Sequence, residues 1–262
     1  MNPPAAAGPF RHLHLEEDDG LCTLTLDRPP LNVLTVEMLR ELAEALDVVA
    51  SDPGVAVLLV TGAGKAFCAG VDVADHTEDR VEDMIRTFHA ALAHLVSLEI
   101  PTVAALNGAA LGGGLEVALA CDLIVAREGA KVGQPEIRLG VFPPFAAAAL
   151  PRLVGRARAL DLILTGRTLT AEEAFAMGMV QHVRSADGFP EAATAYARDL
   201  ASLSPPVLRL TKRAVVEGID APLGEALHAA ECLYLDDLMK LEDAHEGLAA
   251  FMEKRPPQWK GA

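Results

Sequence analysis

Aromatic side chains are scarce in this chain, at 4% of 262 residues with a single tryptophan. Half of the residues are nonetheless hydrophobic, so alanine, valine and leucine have to build the core, and these suit closely packed helices and sheets. Cations are also few: 22 Lys and Arg stand against 37 Asp and Glu, a net charge of −15. Nucleic-acid binding needs basic patches to neutralise phosphates, so no nucleic-acid partner is expected. The four cysteines, Cys22, Cys68, Cys121 and Cys232, form no CxxC pair, and the expectation is free thiols in a reducing compartment rather than a metal or disulfide framework. The start MNPPAAAGPF lacks the cationic and apolar regions of a signal peptide. The apolar stretch 102–126 is interrupted by Asn107, Glu116, Asp122 and several glycines, which argues against a membrane span. A cytoplasmic, soluble protein is therefore expected.

Two phosphate-binding motifs are missing as well. TGAGKAFCAG contains Gly64 and Lys65, but Ala66 stands where a P-loop needs Ser or Thr and no glycine occupies position 59. Neither glycine cluster reads G-x-G-x-x-G, so a Rossmann dinucleotide site is not expected.

The patterning that is present alternates strands and helices. LCTLTL sets Cys22, Leu24 and Leu26 against Thr23 and Thr25, the period of a half-buried strand. Met38, Leu39, Leu42, Leu46 and Val49 recur at helical spacing, and VAVLLVTGAG then reads as a buried strand ending in a glycine turn. The same order repeats with a helix over 81–98, the strand TVAALNG, a helix over 113–120 and the strand DLIVARE. Such alternation predicts an α/β fold with strands buried on both faces. From about Pro205 the chain turns helical, and Leu223, Leu227, Ala230, Tyr234, Leu238 and Leu241 fall on one helical stripe. Two regions are expected, 1–200 and 201–262, the second packing on the core or on a neighbouring subunit.

The run ALGGGLEVA places three glycines directly before Glu116. Each glycine weakens a regular element by roughly 0.5–1 kcal/mol relative to alanine, and a carboxylate in an apolar run must be desolvated. A helix start explains both, because its first N–H groups are free and its dipole is positive there. If the helix begins near Gly113, that residue and Glu116 share a face. An amide and a carboxyl would then serve one small volume, as required when negative charge grows on a carbonyl oxygen while a proton moves nearby. A second account is equally open on these residues alone: the glycines allow close strand–helix packing, and Glu116 balances the dipole.

Six segments in order, LDRPPLNVLT, VLLVTGAGKAFCAGVDV, IPTVAALNGAALGGGLEVALACDLIVA, GQPEIRLGV, ALDLILTGRTLTAEEAFAMGMV and AFMEKRPPQWKG, resemble the enoyl-CoA hydratase/isomerase (crotonase) superfamily over nearly the whole chain. The resemblance implies a crotonase-like spiral of ββα units, a helical C-terminal region that builds homotrimers or hexamers, and an acyl-CoA thioester substrate. It makes the amides of Val71 and Gly113 the oxyanion donors and Glu116 and Glu136 the catalytic acids of a hydratase. Without the resemblance, Glu136 would read as a first-turn acid after Pro135. Along the bound thioester it nominates Ala69, Asp72 and Gly112, backbone around Arg28 and Leu31, Lys65 near the adenine end, and Lys254. No metal and no cofactor beyond the coenzyme A of the substrate is implied.

Rival activities are a double-bond isomerase using Glu136 alone, an RNA-binding or scaffolding protein of this fold, and thioester hydrolysis through a glutamate-held water. A Ser–His–Asp hydrolase is disfavoured because glycines, not serine, occupy 112–114. The chain departs from the family after QPE, where LGVFPPFAAAALPRLVG replaces a glycine-rich turn. That stretch, with LYLDDLM and EGLAAFMEKR, is similar to cyclohexa-1,5-dienecarbonyl-CoA hydratases, which act on alicyclic thioesters. VADHTEDRVEDMI falls where a segment often caps the acyl chain in the family, so His76 could reach the pocket, but the stretch reads rather as a solvated acidic loop; His12 with His14 reads as a surface pair lacking a third ligand.

Overall fold

The computed structural model describes residues 10–262; residues 1–9, on which the signal-peptide expectation chiefly rests, lie outside the described residues. The larger sheet has six strands in the order β1 (Leu13–Asp18), β2 (Leu21–Leu26), β3 (Val57–Gly62), β5 (Thr102–Leu106), β7 (Leu123–Arg127) and β10 (His182–Arg184). Only β1 and β2 pair antiparallel; the other neighbours run parallel, with Leu26 opposite Gly62 and Val103 opposite Leu123. A smaller sheet orders β4 (Ala66–Cys68), β6 (Ala109–Leu111), β8 (Lys131–Gly133) and β9 (Thr168–Thr170), the last antiparallel to its neighbour.

The chain passes from the large sheet to the small one and returns through a helix. After α1 (Val36–Ser51) come β3, β4 and α2 (Val81–Ser97), then β5, β6 and α3 (Gly113–Leu119), then β7, β8 and α4 (Pro144–Val154). This is the expected spiral of ββα units. The helices α5 (Arg156–Thr165), α6 (Ala171–Ala176) and α7 (Phe189–Ala201) follow, with β9 between the first two. Leu58, Val60, Ala104 and Ile124 face the main core, whereas Val57, Leu59, Val103, Ala105 and Val125 face Phe189, Ala193 and Ala197 of α7. Both faces of the parallel strands are thus covered, which is why those strands read as unbroken apolar runs.

α8 (Pro205–Gly218), α9 (Leu223–Cys232) and α10 (Glu242–Glu253) form the tail. Lys212 ties it to the core, donating to the Ile100 carbonyl at 3.0 Å and pairing with Asp122 at 2.7 Å. The single stripe expected from the sequence is not one helix. A π-turn at Leu233–Asp237 and a 3₁₀ turn at Leu238–Lys240 interrupt it, and each change of winding rotates the following residues off the face. Nor does the stripe pack on its own core: Leu223 is 84% and Leu227 66% exposed. Among the described residues, no helix is long and apolar enough to cross a membrane.

The histidine pair also differs from expectation. His14 bonds Asp27 at 2.7 Å, while the His12 ring has the Glu37 and Glu41 carboxylates within 4.8 Å. The α1 surface, invisible in local spacing, brings those acids there. Both are already engaged: Glu41 accepts the His12 backbone N–H at 2.9 Å and Glu37 pairs with Arg11 at 3.5 Å.

Candidate active site

Each glycine of the triplet answers a different steric demand. Gly112 has φ +53°, and a Cβ there would stand 2.6 Å from Glu136 Oε1. A Cβ on Gly113 would meet Val71 Cγ2 at 2.6 Å, and one on Gly114 would lie 2.2 Å from the Cys68 carbonyl oxygen of β4. The first position needs the left-handed backbone and all three need the absence of a side chain. Close packing and an open helix start, the two accounts left standing by the sequence, therefore both hold.

The other amide comes from the loop after β4. A parallel bridge joins Leu34 and Val71, with Leu34 N–H donating to the Gly70 carbonyl at 2.9 Å and Asp72 N–H to the Leu34 carbonyl at 2.8 Å. That pairing leaves the Val71 N–H off the ladder. Gly113 is the first residue of α3, so its N–H is among those without an intrahelical acceptor. The Val71 nitrogen lies 3.5 Å from where a Gly113 Cβ would be; the two segments approach closely.

Glu116 is buried, 3% exposed, and its Oε1 accepts the Ala146 N–H at 2.7 Å. Pro143 caps α4 and Pro144 occupies its first turn; having no N–H of their own, they leave Phe145 and Ala146 as the first donors. Burial pushes the Glu116 carboxyl up to about 7; the Ala146 and Phe145 amides oppose this, and the charge of Glu136 adds to it. Glu136 sits in the 3₁₀ turn Pro135–Leu139, half-buried, and burial raises it as well. The fully buried Gln134 lies against it: with its nitrogen turned to the carboxylate, it donates to Oε2 at 3.1 Å and Oε1 at 3.0 Å.

A stability prediction follows from these directions. Between the unfolded value near 4.5 and the folded value near 7, Glu116 binds more protons folded than unfolded. Stability therefore falls as pH rises through that window, by roughly 2–3 kcal/mol for this one group. Urea midpoints measured from pH 4.5 to 7.5 should show the decline, and Glu116→Gln should flatten most of it; an unchanged slope in the variant would show that other groups cause it.

Val71, Gly112, Gly113, Glu116 and Glu136 line one cavity of about 200 Å³, together with Ala69. Its walls are Val73, Met84, Ile85 and Phe88 on one flank and the 141–144 segment on the other. Arg28, Leu31, Lys65, Asp72 and Lys254 are not among its lining residues. Arg28 pairs with Asp72 at 3.7 Å and donates to the Val33 carbonyl. The Leu31 carbonyl accepts Ala69 N–H at 3.0 Å, steadying the loop that carries Val71. Lys65 is exposed and lines a separate cleft of about 710 Å³ with Arg127 and Asn107; Lys254 ends α10, also exposed.

Of the two places the sequence allows His76, the structure has it on the cavity wall, although residues 77–80 beside it are exposed. The 3₁₀ turn Val73–His76 turns it inward, and its Nδ1 donates to the Asp72 carbonyl at 3.0 Å. Sequence reasoning passed over Asn32. It is 1% exposed with φ +55°, and its Nδ2 donates toward the carbonyls of Ala63, Ala66 and Phe67 at 2.9–3.1 Å. Asn tolerates the left-handed region, so its place in PLNVLT, after two prolines, was the available signal.

Residues 16–262 match the enoyl-CoA hydratase/isomerase family. A Mycobacterium tuberculosis protein named "Probable enoyl-CoA hydratase" is 39% identical over 253 residues, 95% of this chain and 98% of its own length. The cyclohexa-1,5-dienecarbonyl-CoA hydratase of Thauera aromatica is 37% identical over 257 residues, 97% and 98% of the two chains. The crystal structure of enoyl-CoA hydratase from Bacillus anthracis superposes with a TM-score of 0.92 at 35% identity, covering 96% of this chain and all of that one.

Proposed function

The chain belongs to the enoyl-CoA hydratase/isomerase family, and from this we propose that it hydrates an α,β-unsaturated acyl-CoA thioester, with Val71, Gly113, Glu116 and Glu136 as its reacting groups. The observation that carries this reading is that both glutamates line one small cavity with Val71 and Gly113, whose backbone N–H groups are free of the local bridge and of the helix. The amides of Val71 and Gly113 hold the thioester oxygen as it gains enolate charge, about 3–4 kcal/mol for each well-aimed donor. One carboxylate takes a proton from water as the oxygen bonds to the β-carbon, and the other carboxyl gives its proton to the α-carbon. Water is consumed and the two acids end with their protons exchanged. Burial raises the proton affinity of both carboxyls, that of the buried Glu116 up to about 7 and that of the half-buried Glu136 in the same direction. The reaction asks for no further cofactor.

We assign an alicyclic dienoyl thioester, of the cyclohexa-1,5-diene-1-carbonyl-CoA type, as the substrate. Two things support it: the similarity to the Thauera hydratase, and the rigid Pro143–Pro144 wall beside both acids. The coenzyme A arm would run past Arg28, Leu31 and Asp72 towards Lys65, with Lys254 contributed across a subunit boundary; these cations offset an acidic surface that would otherwise repel phosphates. The exposed Leu223, Leu227, Phe251 and Met252 of the tail support burial between subunits of a homotrimer or a dimer of trimers.

The test is a substrate panel of crotonyl-CoA, a branched enoyl-CoA and the cyclic dienoyl-CoA, followed by loss of conjugated absorbance. The expected result is a kcat/KM for the cyclic diene at least equal to that for crotonyl-CoA. Crotonyl-CoA turnover faster by orders of magnitude would overturn the alicyclic assignment, and no hydration of any member would overturn the hydratase.

A further inference from the structure

Apart from the two glutamates, His76 is the one side chain among the described residues of the cavity lining that can form an ordinary hydrogen bond. Its neighbours on that wall are Val73, Val81, Met84 and Ile85. An acyl pocket meant only for hydrocarbon would gain from a further apolar group there, because a polar atom covered without a partner costs about 1–3 kcal/mol.

One ring nitrogen is already engaged. Nδ1 lies 3.0 Å from the Asp72 carbonyl oxygen, which can only accept, so Nδ1 carries a proton. In the uncharged ring with that tautomer, Nε2 is an acceptor. Asp72 is itself fixed: its Oδ1 accepts the Ala74 N–H at 3.1 Å and its carboxylate pairs with Arg28. The adjoining Asp75 is taken by Arg80 at 3.3 Å. The His76 side chain thus belongs to the wall built by the 3₁₀ turn Val73–His76 and α2, whereas the two acids stand on α3 and the 3₁₀ turn after β8.

We propose that His76 is a specificity-determining residue that accepts a hydrogen bond from the acyl group, so that the favoured substrates are enoyl thioesters carrying a hydroxyl away from the reacting double bond. The inference rests on the hydratase reading and not on the alicyclic assignment, whose plain diene would be the weaker ligand at this wall. Hydroxyl-bearing acyl groups satisfy Nε2, and plain hydrocarbon ones bury it unpaired; a site built to pair a substrate hydroxyl discriminates strongly against the analogue lacking it.

Binding of unreactive thioesters separates this idea from the chemistry. Cyclohexanecarbonyl-CoA and its 3-hydroxy and 4-hydroxy derivatives are titrated calorimetrically into the wild type, His76→Phe and His76→Gln, with coenzyme A alone as a check that each variant folds. The wild type is expected to bind one hydroxylated thioester at least about tenfold tighter than the parent, a gap of roughly 1.4 kcal/mol. His76→Phe should bring that ratio to about one while binding the parent as well or better, and His76→Gln, which keeps an acceptor, should retain part of the preference. Equal wild-type Kd values across the set, or a ratio untouched in His76→Phe, overturns the proposal. Absence of enoyl hydration with the Kd ratio intact would instead sink the hydratase reading and leave the hydroxyl contact standing.

Discussion

Glu116→Gln is expected to lower kcat for hydration by about 10²- to 10⁴-fold, the usual contribution of a positioned acid or base, with little change in thioester affinity. The amide keeps the shape of the side chain and still offers an oxygen to the Ala146 N–H, which now donates to Glu116 Oε1 at 2.7 Å. What it loses is the proton that the buried carboxyl, raised to about 7, exchanges near neutrality. Glu136 remains, half-buried with its carboxylate against Gln134 and Gly112, so movement of a double bond along the enolate can persist. Hydration surviving within tenfold of wild type, measured as the rate of conjugated-absorbance loss, would remove Glu116 from the reacting groups.

Gly114→Ala is expected to damage both stability and activity. Its Cβ would lie 2.2 Å from the Cys68 carbonyl oxygen and 2.7 Å from the carbonyl carbon, and backbone atoms of a short strand inside the core cannot yield as a flexible side chain does. Either α3 lifts off β4 or β4 shifts, at a cost of about 3 kcal/mol. Both responses move an amide proposed above as an oxyanion donor, since β4 leads through Ala69 and Gly70 to Val71 and α3 begins at Gly113. A displacement of about 1 Å is enough for a 10²-fold fall in kcat/KM. Gly224→Ala in α9, where a Cβ meets nothing within 4 Å, should stay within about 1 kcal/mol of wild type in urea. A Gly114→Ala protein matching that control in both stability and kcat/KM would refute the steric account.

Much of this molecule was legible in the order of its residues. The alternation of strands and helices, the double-sided burial of the parallel strands and the helix start at Gly113 follow from periods and from glycine and proline positions, which act over a few residues. Gly113, Glu116 and Glu136 could be named because each sits in a short motif. The tail was misread for a related reason: its apolar spacing carries no mark of the π-turn at Leu233–Asp237, whose extra residue per turn rotates the stripe.

Position in space was a different matter. That the Ala146 amide holds Glu116 across 30 residues, that Asn32 gathers three carbonyls from β4 and the loop before it, and that His76 lines the same cavity as both acids all depend on segments distant in sequence. Local propensity determines which element a residue joins and which side of that element it occupies. Only tertiary packing decides which side chains share a volume, because the contacts that fix it, such as Gly114 against Cys68 and Leu34 against Val71, are made between elements whose sequences carry no record of one another.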